Sequence, residues 1–207
     1  MSENPFVLDS EENKYVKHNY QNGRWCIGDL EIDVTHMMID LNSMKLGWSS
    51  YDNATKSYDT VWQPDLYTKI DRPSENHKRS FSVWVFPKFI EGKQNFDHGS
   101  LLWQRNSNSE FQGFMELGRV CWEQQDKNEG LLPVVKVLKS SEIVYKSGFK
   151  AFTPHFELLK FQERPDNFVI PTALDESDES GNVSPPDNNK TLPDSPLNTL
   201  DDEDIPF

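Results

Sequence analysis

The spacing of apolar residues along the chain predicts a protein built mainly from β-strands. Seven runs are rich in aromatic and β-branched residues and are separated at short intervals by turn-forming residues, which is typical of β-sandwiches and barrels rather than of βαβ units. The predicted strands are 24–34, 56–64, 78–87, 99–107, 131–140, 141–149 and 155–161. Gly28 lies within the first run, where we expect the strand to bulge or bend.

One segment between these strands has helical spacing. Phe111, Met115, Gly118 and Trp122 lie four, three and four positions apart, which places them on one stripe of a helix. A helix inserted between the strands of a small closed barrel is compatible with an oligonucleotide-binding (OB) fold. We therefore expect an OB-like small β-barrel with one short helix, and the pattern alone does not separate this barrel from other small β folds.

The composition of the chain changes near Pro165. Residues 166–207 contain eleven acidic residues and one lysine, and no aromatic residue lies between Phe168 and Phe207. Such a segment does not bury enough apolar surface to offset the entropy of ordering the chain. We expect a folded domain over residues 1–165, a disordered Pro- and Asp-rich linker over 166–200, and an acidic interaction tip over 201–207.

The net charge of -13 belongs mostly to this C-terminal segment, because residues 1–165 carry 23 acidic and 20 basic residues and are only -3. Within that near-neutral body, residues 69–93 contain six bases and three acids, interleaved with four aromatic residues. Single-stranded nucleic acid is bound by this combination when its sequence is ignored, since bases stack on aromatic faces while Lys and Arg contact the phosphates.

Strand alternation indicates which aromatic residues could stack on bases. It places the odd-numbered side chains of 81–86 on one face, and Ser82, Trp84 and Phe86 on the other. Trp84 is the strongest candidate for base stacking, because it lies opposite the more aliphatic face. The predicted DNA-binding residues are Lys69, Arg72, Lys78, Arg79, Trp84, Phe86, Lys88 and Lys93. A second basic stretch contains Lys136, Lys139, Lys146 and Lys150.

The sequence contains no recognisable catalytic constellation. Motifs for a phosphate-binding loop, a zinc protease and a serine hydrolase are absent, and the five histidines lack metal-ligand spacing. The nearest approach to a metal-dependent nuclease signature is Glu157, Lys160 and Asp166, whose order and spacing are both wrong. We expect a protein that is not an enzyme and that needs no cofactor and no metal.

Cysteine usage and the N-terminal residues predict a cytoplasmic protein. Cys26 and Cys121 form no paired motif, which suits a reducing compartment. Residues 1–15 lack the basic and apolar regions of a signal peptide, and no apolar stretch approaches the ~20 residues needed to cross a bilayer. We expect no membrane partner.

The chain ends in four acidic residues followed by an apolar tripeptide, Ile205, Pro206 and Phe207. A terminal ring, a fixed proline and a free carboxylate can together fill a small apolar pocket rimmed by a base. This ending resembles the acidic tip of the bacterial single-stranded DNA-binding protein family, which closes with a run of aspartates and then Ile-Pro-Phe. Glu203 takes the place of one aspartate here and keeps the charge.

The resemblance implies a role for the tip, because in that family it docks on replication, recombination and repair proteins. The residues to which this role carries over are Asp201, Asp202, Glu203, Asp204, Ile205, Pro206 and Phe207. The order of domain, polar linker and tip is also similar. The body does not match the core pattern of the bacterial family and is longer than its usual core, which suggests a divergent version such as a phage- or prophage-encoded one.

These observations predict a protein that binds single-stranded DNA without sequence specificity, protects it, and recruits DNA replication, recombination and repair proteins in a bacterial or phage-infected cell. Self-association into a homo-oligomer stays open. One alternative is an adaptor or decoy that occupies partner proteins through the tip and binds no DNA. The other is a DNA-metabolism enzyme that the tip recruits.

Overall fold

The computed structural model of the chain describes residues 15–55, 57–91, 94–97 and 99–171. Among these residues are ten strands and one α-helix, so the expected mainly β organisation is confirmed. The elements are β1 (Val16–Asn19), β2 (Arg24–Ile27), β3 (Leu30–Ile39), β4 (Lys45–Asp52), β5 (Ser57–Trp62), β6 (Lys78–Glu91), β7 (Gln94–Asp97), β8 (Leu101–Arg105), α1 (Asn108–Gln125), β9 (Leu132–Val144) and β10 (Lys150–Gln162). Residues 172–207, and with them the tip, lie outside the described residues, as does Lys93.

Two of the predicted strand divisions are wrong. Residues 24–34 do not form one bent strand, because Gly28 takes a positive φ of 56° and closes a tight hairpin in which Ile27 faces Leu30. Residues 131–149 do not form two strands, because β10 pairs with β9 along nearly its whole length and keeps it continuous. Strands β1, β4 and β7 were not predicted.

Strand β6 is the centre of the sheet. Its first half pairs with β4 and β8, and its second half pairs with β3 and β7, all antiparallel. Strand β3 extends the sheet in two directions. The first part of β3 pairs with β2, which pairs with β1, and the second part of β3 pairs with β9, which pairs with β10. The hydrogen-bonded ladders do not close into a barrel.

The main core lies on one face of β6, where Phe81, Val83 and Val85 have no exposed surface. This is the face that alternation assigned to these odd-numbered residues. Phe81 stacks on Phe114 of α1 with ring centroids 4.0 Å apart, and it meets Trp103 of β8 edge-on at 4.8 Å. The aromatic contacts therefore join the central strand to the helix that covers this face.

The helix is present where it was predicted, but its buried face is different. Phe114, Leu117 and Cys121 face the core, whereas Met115 and Trp122 are 45% and 42% exposed. Gly113 is part of the reason, since a Cβ there would lie 2.5 Å from the carbonyl oxygen of Pro154. Phe111 of the predicted stripe does lie in the core, at 8% exposed, whereas the close approach to β10 leaves Met115 and Trp122 outside it.

A second apolar cluster lies on the opposite face of β6. Phe86 is 2% exposed and packs with Met38 and Leu132 beneath Phe168, whose ring centroid is 5.4 Å from that of Phe86. Phe168 belongs to residues 163–171, which follow β10 and which we call the C-terminal strap. The strap packs on the sheet and so continues the folded structure past Pro165, where the sequence placed the domain boundary.

An ion pair fastens this strap to the sheet. The guanidinium of Arg164 donates to the buried carboxylate of Asp40 and also lies 4.7 Å from the ring centroid of Phe168. Asp40 in addition accepts a hydrogen bond from the backbone N–H of Asn42, 3.1 Å away, which starts a short 3-10 turn. The strap is thus held by one aromatic anchor and one charged anchor.

We expect Phe168→Ala to lower the free energy of unfolding by about 3–5 kcal/mol, the usual cost of removing a buried phenylalanine ring. Urea denaturation measures this change. Val169→Ala is the matched control, because Val169 is 64% exposed and its replacement should change stability by less than about 0.5 kcal/mol. Equal effects of the two substitutions would contradict the packing of the strap.

Candidate nucleic-acid interface

A cleft of about 220 Å³ opens where four parts of the fold meet. They are the β1–β2 turn, the start of β6 with the loop before it, the beginning of α1, and the turn between β9 and β10. The lining residues are Tyr20, Arg72, Glu75, Asn76, His77, Lys78, Arg79, Asn106, Ser107, Asn108, Ser109, Tyr145, Phe149 and Ala151. This cleft gathers groups that lie more than a hundred residues apart in the chain.

Three cations line the cleft against a single acid, Glu75. Arg72 is held in place by its own loop, since its Nε donates to the carbonyl oxygen of His77 at 2.8 Å and its Nη2 donates to that of Glu75 at 2.5 Å. The ring of His77 is in turn 2.8 Å from the hydroxyl of Ser74. The loop therefore presents a fixed guanidinium to the cleft.

The ammonium of Lys78 is partly shielded from water. Burial lowers the pKa of Lys78 below its usual 10.5, and the nearby charge of Arg72 lowers it further. A cation that has already lost part of its hydration attracts an anion more strongly than a fully solvated one does. Lys78 is therefore suited to an anionic group that enters the cleft.

The ring of Trp48 packs against the guanidinium groups of Arg72 and Arg79. It is 8% exposed and lies opposite Arg79 in the pairing of β4 with β6. The guanidinium carbons of Arg79 and Arg72 are 5.6 Å and 5.8 Å from its ring centroid, and its indole N–H donates to the carbonyl oxygen of Ile70 at 3.2 Å. These cation–π contacts hold two like charges next to each other.

Three aromatic side chains supply another part of the lining. The ring of Phe149 lies 6.2 Å from that of Tyr20 and 6.1 Å from that of Tyr145, measured between centroids. Tyr145 and Phe149 close the β9–β10 turn, where the N–H of Gly148 donates to the carbonyl oxygen of Tyr145 at 2.8 Å. Burial raises the pKa of Tyr145, so its phenol stays protonated and can donate a hydrogen bond.

The buried carboxylate of Glu110 fixes the beginning of α1 beside the cleft. It accepts hydrogen bonds from the Arg105 guanidinium at 2.9 Å, the Ser107 hydroxyl at 2.6 Å and the His18 backbone N–H at 3.1 Å. Ser107 is also the N-cap of the helix. Strands β1 and β8 are thereby joined to the helix terminus that forms one side of the cleft.

His18 connects the β9–β10 hairpin to the same network. Its Nε2 lies 2.8 Å from the hydroxyl of Ser140, which itself donates to the carbonyl oxygen of Gly23 at 3.1 Å. The backbone of Phe152 completes the attachment by donating to the carbonyl oxygen of Tyr20 at 2.7 Å. These bonds set the distance between the hairpin and the β1–β2 turn that carries Tyr20.

The structure separates the predicted DNA-binding residues into groups. Arg72, Lys78 and Arg79 lie together in the cleft, and Lys69 is exposed on the preceding loop outside it. Lys88 is exposed ten residues along β6 from Lys78, or about 33 Å at the usual strand rise.

The two predicted aromatic residues do not join the cleft. Phe86 is buried beneath Phe168 and offers no free ring face, and Trp84 is half-buried on the same side and packs against this second cluster. The strap covers Phe86 on the face that sequence alternation left open, and the prediction that Trp84 contacts DNA stays a prediction outside the cleft. Tyr20, Tyr145 and Phe149 were missed, although the last two flank Lys146 in the second basic stretch.

Among the described residues no group of three His, Cys, Asp or Glu side chains is arranged to hold a metal ion. Both cysteines are buried, and burial raises the pKa of Cys121 to about 12, so that thiol stays protonated at neutral pH. In this part of the chain, no helix is long and apolar enough to span a membrane.

No protein-family model, curated protein or solved structure matches this chain. Its function is therefore inferred from its own residues and geometry.

We expect stability to fall as the pH is lowered from 6.5 to 5.5. Burial, aided by Arg105 and opposed by Glu110, lowers the pKa of His18 from its ordinary 6.5, so below that pH the unfolded chain binds a proton that the folded chain does not. One such group changes the free energy of unfolding by up to about 1.4 kcal/mol per pH unit. The slope of unfolding free energy against pH should flatten in His18→Gln and persist in the control variant His36→Gln. An unchanged slope in His18→Gln would contradict this assignment.

Proposed function

We propose that this protein binds single-stranded DNA without sequence specificity and that the cleft is the centre of its binding surface. The observation that carries the proposal is the meeting of Arg72, Lys78 and Arg79 with three aromatic rings in one concave site. Cations contact phosphates and rings stack on bases, and neither interaction distinguishes one base sequence from another.

The size of the cleft and its aromatic lining favour single strands over duplexes. A cavity of about 220 Å³ has room for a single base or phosphate group but not for a double helix. Moreover, a ring such as Phe149 can stack on a base only when that base has left its own pair, as the bases of a single strand have.

The local charge of the cleft supports binding despite the near-neutral body. Affinity for nucleic acid follows the number of phosphates that are neutralised, so the arrangement of charge matters more than its total. Three cations and one acid give the lining a net charge of +2, and the arginine side chains are held by Trp48 and by backbone carbonyls before any ligand arrives. Little side-chain entropy is then lost on binding.

We further propose that the fold is a divergent OB-like barrel. Strands β1, β2, β3, β6 and β8 follow one another through antiparallel ladders, and an isolated parallel bridge between Tyr15 and Leu102 links β8 back to β1. Each of the five strands contributes side chains to the main core, and α1 covers it. A barrel of this kind commonly binds single strands on its surface.

The acidic tip at 201–207 has the proposed role of recruiting replication, recombination and repair proteins. This part of the proposal depends on the sequence of the tip and on its resemblance to the bacterial family.

Removing two cations from the cleft should weaken single-strand binding. We expect Arg72→Ala/Arg79→Ala to cost about 2 kcal/mol of affinity for an oligothymidylate and to reduce the slope of log affinity against log salt by about 1.4, or 0.7 for each phosphate contact. Fluorescence titration over a range of salt concentrations measures both quantities. Lys88→Ala, which removes an exposed cation far along β6, is the matched control.

Three results of this titration would contradict the proposed function. If the wild-type protein does not bind oligothymidylate, the adaptor or decoy is favoured. If it binds single strands and duplexes with equal affinity, stacking of the rings on unpaired bases does not explain binding. Binding that Lys88→Ala weakens as much as the double variant would move the interface away from the cleft.

Deletion of Phe207 should abolish partner capture and leave DNA affinity unchanged. The deletion removes the terminal ring and transfers the free carboxylate to Pro206, while every residue of the cleft is kept. Surface plasmon resonance with a purified bacterial protein that binds the family's acidic tip measures the first effect, and oligothymidylate titration measures the second. Undiminished capture by the shortened chain would show that the tip is not a docking element.

A further inference from the structure

The face of α1 that turns away from the core forms, together with the loop before β6, a patch of exposed apolar side chains that we call the groove. Its members are Tyr67, Met115 and Trp122, which are 77%, 45% and 42% exposed. Large apolar side chains that cluster on a surface in this way usually mark an interaction site. Two of the three belong to the helical stripe that the sequence singled out, and neither the core nor the cleft uses them.

A small residue lies in the middle of the groove. Gly118 lies between Met115 and Trp122 on the helix, at spacings of three and four residues. A Cβ at this position would come within 3.3 Å of the Met44 methyl group, so the Met44 side chain packs against the helix at Gly118. Met44 therefore continues the apolar surface between Met115 and Trp122.

The loop before β6 is built to present Tyr67 to solvent. The carboxylate of Asp65 accepts hydrogen bonds from the backbone N–H of Tyr67 at 2.7 Å, from that of Thr68 at 2.6 Å and from the Thr68 hydroxyl at 2.8 Å. These bonds fix the turn and lower the pKa of Asp65. The ring of Tyr67 then meets that of Trp122 at 73°, with centroids 6.3 Å apart.

Exposed cations accompany this aromatic pair. Lys69 follows Tyr67 by two residues, and Arg119 precedes Trp122 by three, which places it on the same side of the helix. Arg119 pairs with Glu123 at 3.2 Å, but both side chains are about two-thirds exposed, so this pair is weak and its guanidinium can also meet a phosphate. Two further acids lie near the aromatic pair: Glu116 pairs with His155, and the carboxylate of Asp65 bonds to its own loop.

The groove and the cleft lie at the two ends of the same helix. Asn108 lines the cleft and Trp122 lies fourteen residues farther on, or about 21 Å at the helical rise. The loop that carries Tyr67 also continues to Arg72 in the cleft. A nucleic-acid strand that leaves the cleft along either element therefore comes to the groove.

We propose that Tyr67 and Trp122 form a second stacking site for the bases of the same single strand that occupies the cleft. This inference depends on the proposed function and extends it from one nucleotide site to a path along α1. Two rings at nearly right angles leave one face of each open to a base, and Lys69 and Arg119 are placed to meet the phosphates beside them. Contact with both sites requires a strand longer than about six stacked nucleotides.

The test compares affinities for a twelve-residue and a three-residue oligothymidylate. We expect Tyr67→Ala/Trp122→Ala to bind the dodecamer about tenfold more weakly than the wild type and the trimer less than twofold more weakly. Tyr67→Phe/Trp122→Phe, which keeps both rings, should retain the wild-type affinity for the dodecamer. Leu159→Ala is the matched surface control, because Leu159 is 46% exposed on β10. A dodecamer of 5-bromodeoxyuridine, photo-crosslinked to the full chain, should attach to Tyr67 or Trp122.

The outcomes separate this inference from the proposed function. If Arg72→Ala/Arg79→Ala weakens binding of both oligonucleotides while the aromatic alanine variant binds both as the wild type does, the second site is wrong and the cleft is retained. If wild-type protein binds neither oligonucleotide, the proposed function itself fails. A changed sedimentation coefficient of the alanine variant without DNA, together with unchanged DNA affinity, would assign the groove to self-association and overturn the inference.

Discussion

The buried carboxylate of Glu110 is the interaction on which the arrangement of this fold depends most directly. Its side chain has no exposed surface, and an unpaired charge in that position would cost many kcal/mol. The Arg105 guanidinium, the Ser107 hydroxyl and a backbone N–H of β1 compensate it from three separate elements. Because these donors must all converge, the helix can begin at only one place relative to β1 and β8, and the cleft is formed at that place.

From this anchor, α1 acts as a rigid axis with two chemically different sides. Phe114 and Leu117 pack on the sheet, and Gly113 lets the helix approach β10 closely. With this face of the helix against the sheet, Met115 and Trp122 are left in solvent. The way in which α1 packs on the sheet therefore determines both which residues form the core and which apolar residues remain for the proposed binding path.

The sequence predicted what depends on local periodicity and missed what depends on distant contacts. Alternation in β6 placed Phe81 on one face with Val83 and Val85, and the structure buries all three, because one strand supplies the information needed to group them. The same alternation left Phe86 open to solvent, since Phe168 covers it from more than eighty residues farther along the chain. Tyr145 was overlooked for a similar reason. Tyr145 comes close to Arg72 only because the β9–β10 hairpin packs beside the β1–β2 turn.

A near-neutral domain can hold nucleic acid if the strand follows the proposed path from the cleft to the groove. A strongly basic surface would hold nucleic acid by long-range attraction that salt screens, whereas stacking on rings is much less sensitive to salt. Two modest sites about 21 Å apart can still hold one strand firmly, because binding at the cleft raises the effective concentration of the same strand at the groove. Release would proceed one site at a time, and each step would break only one set of contacts. A binding surface of this kind requires few cations provided that the rings are held in place, and Trp48 and Asp65 supply that fixation at the cleft and at the groove.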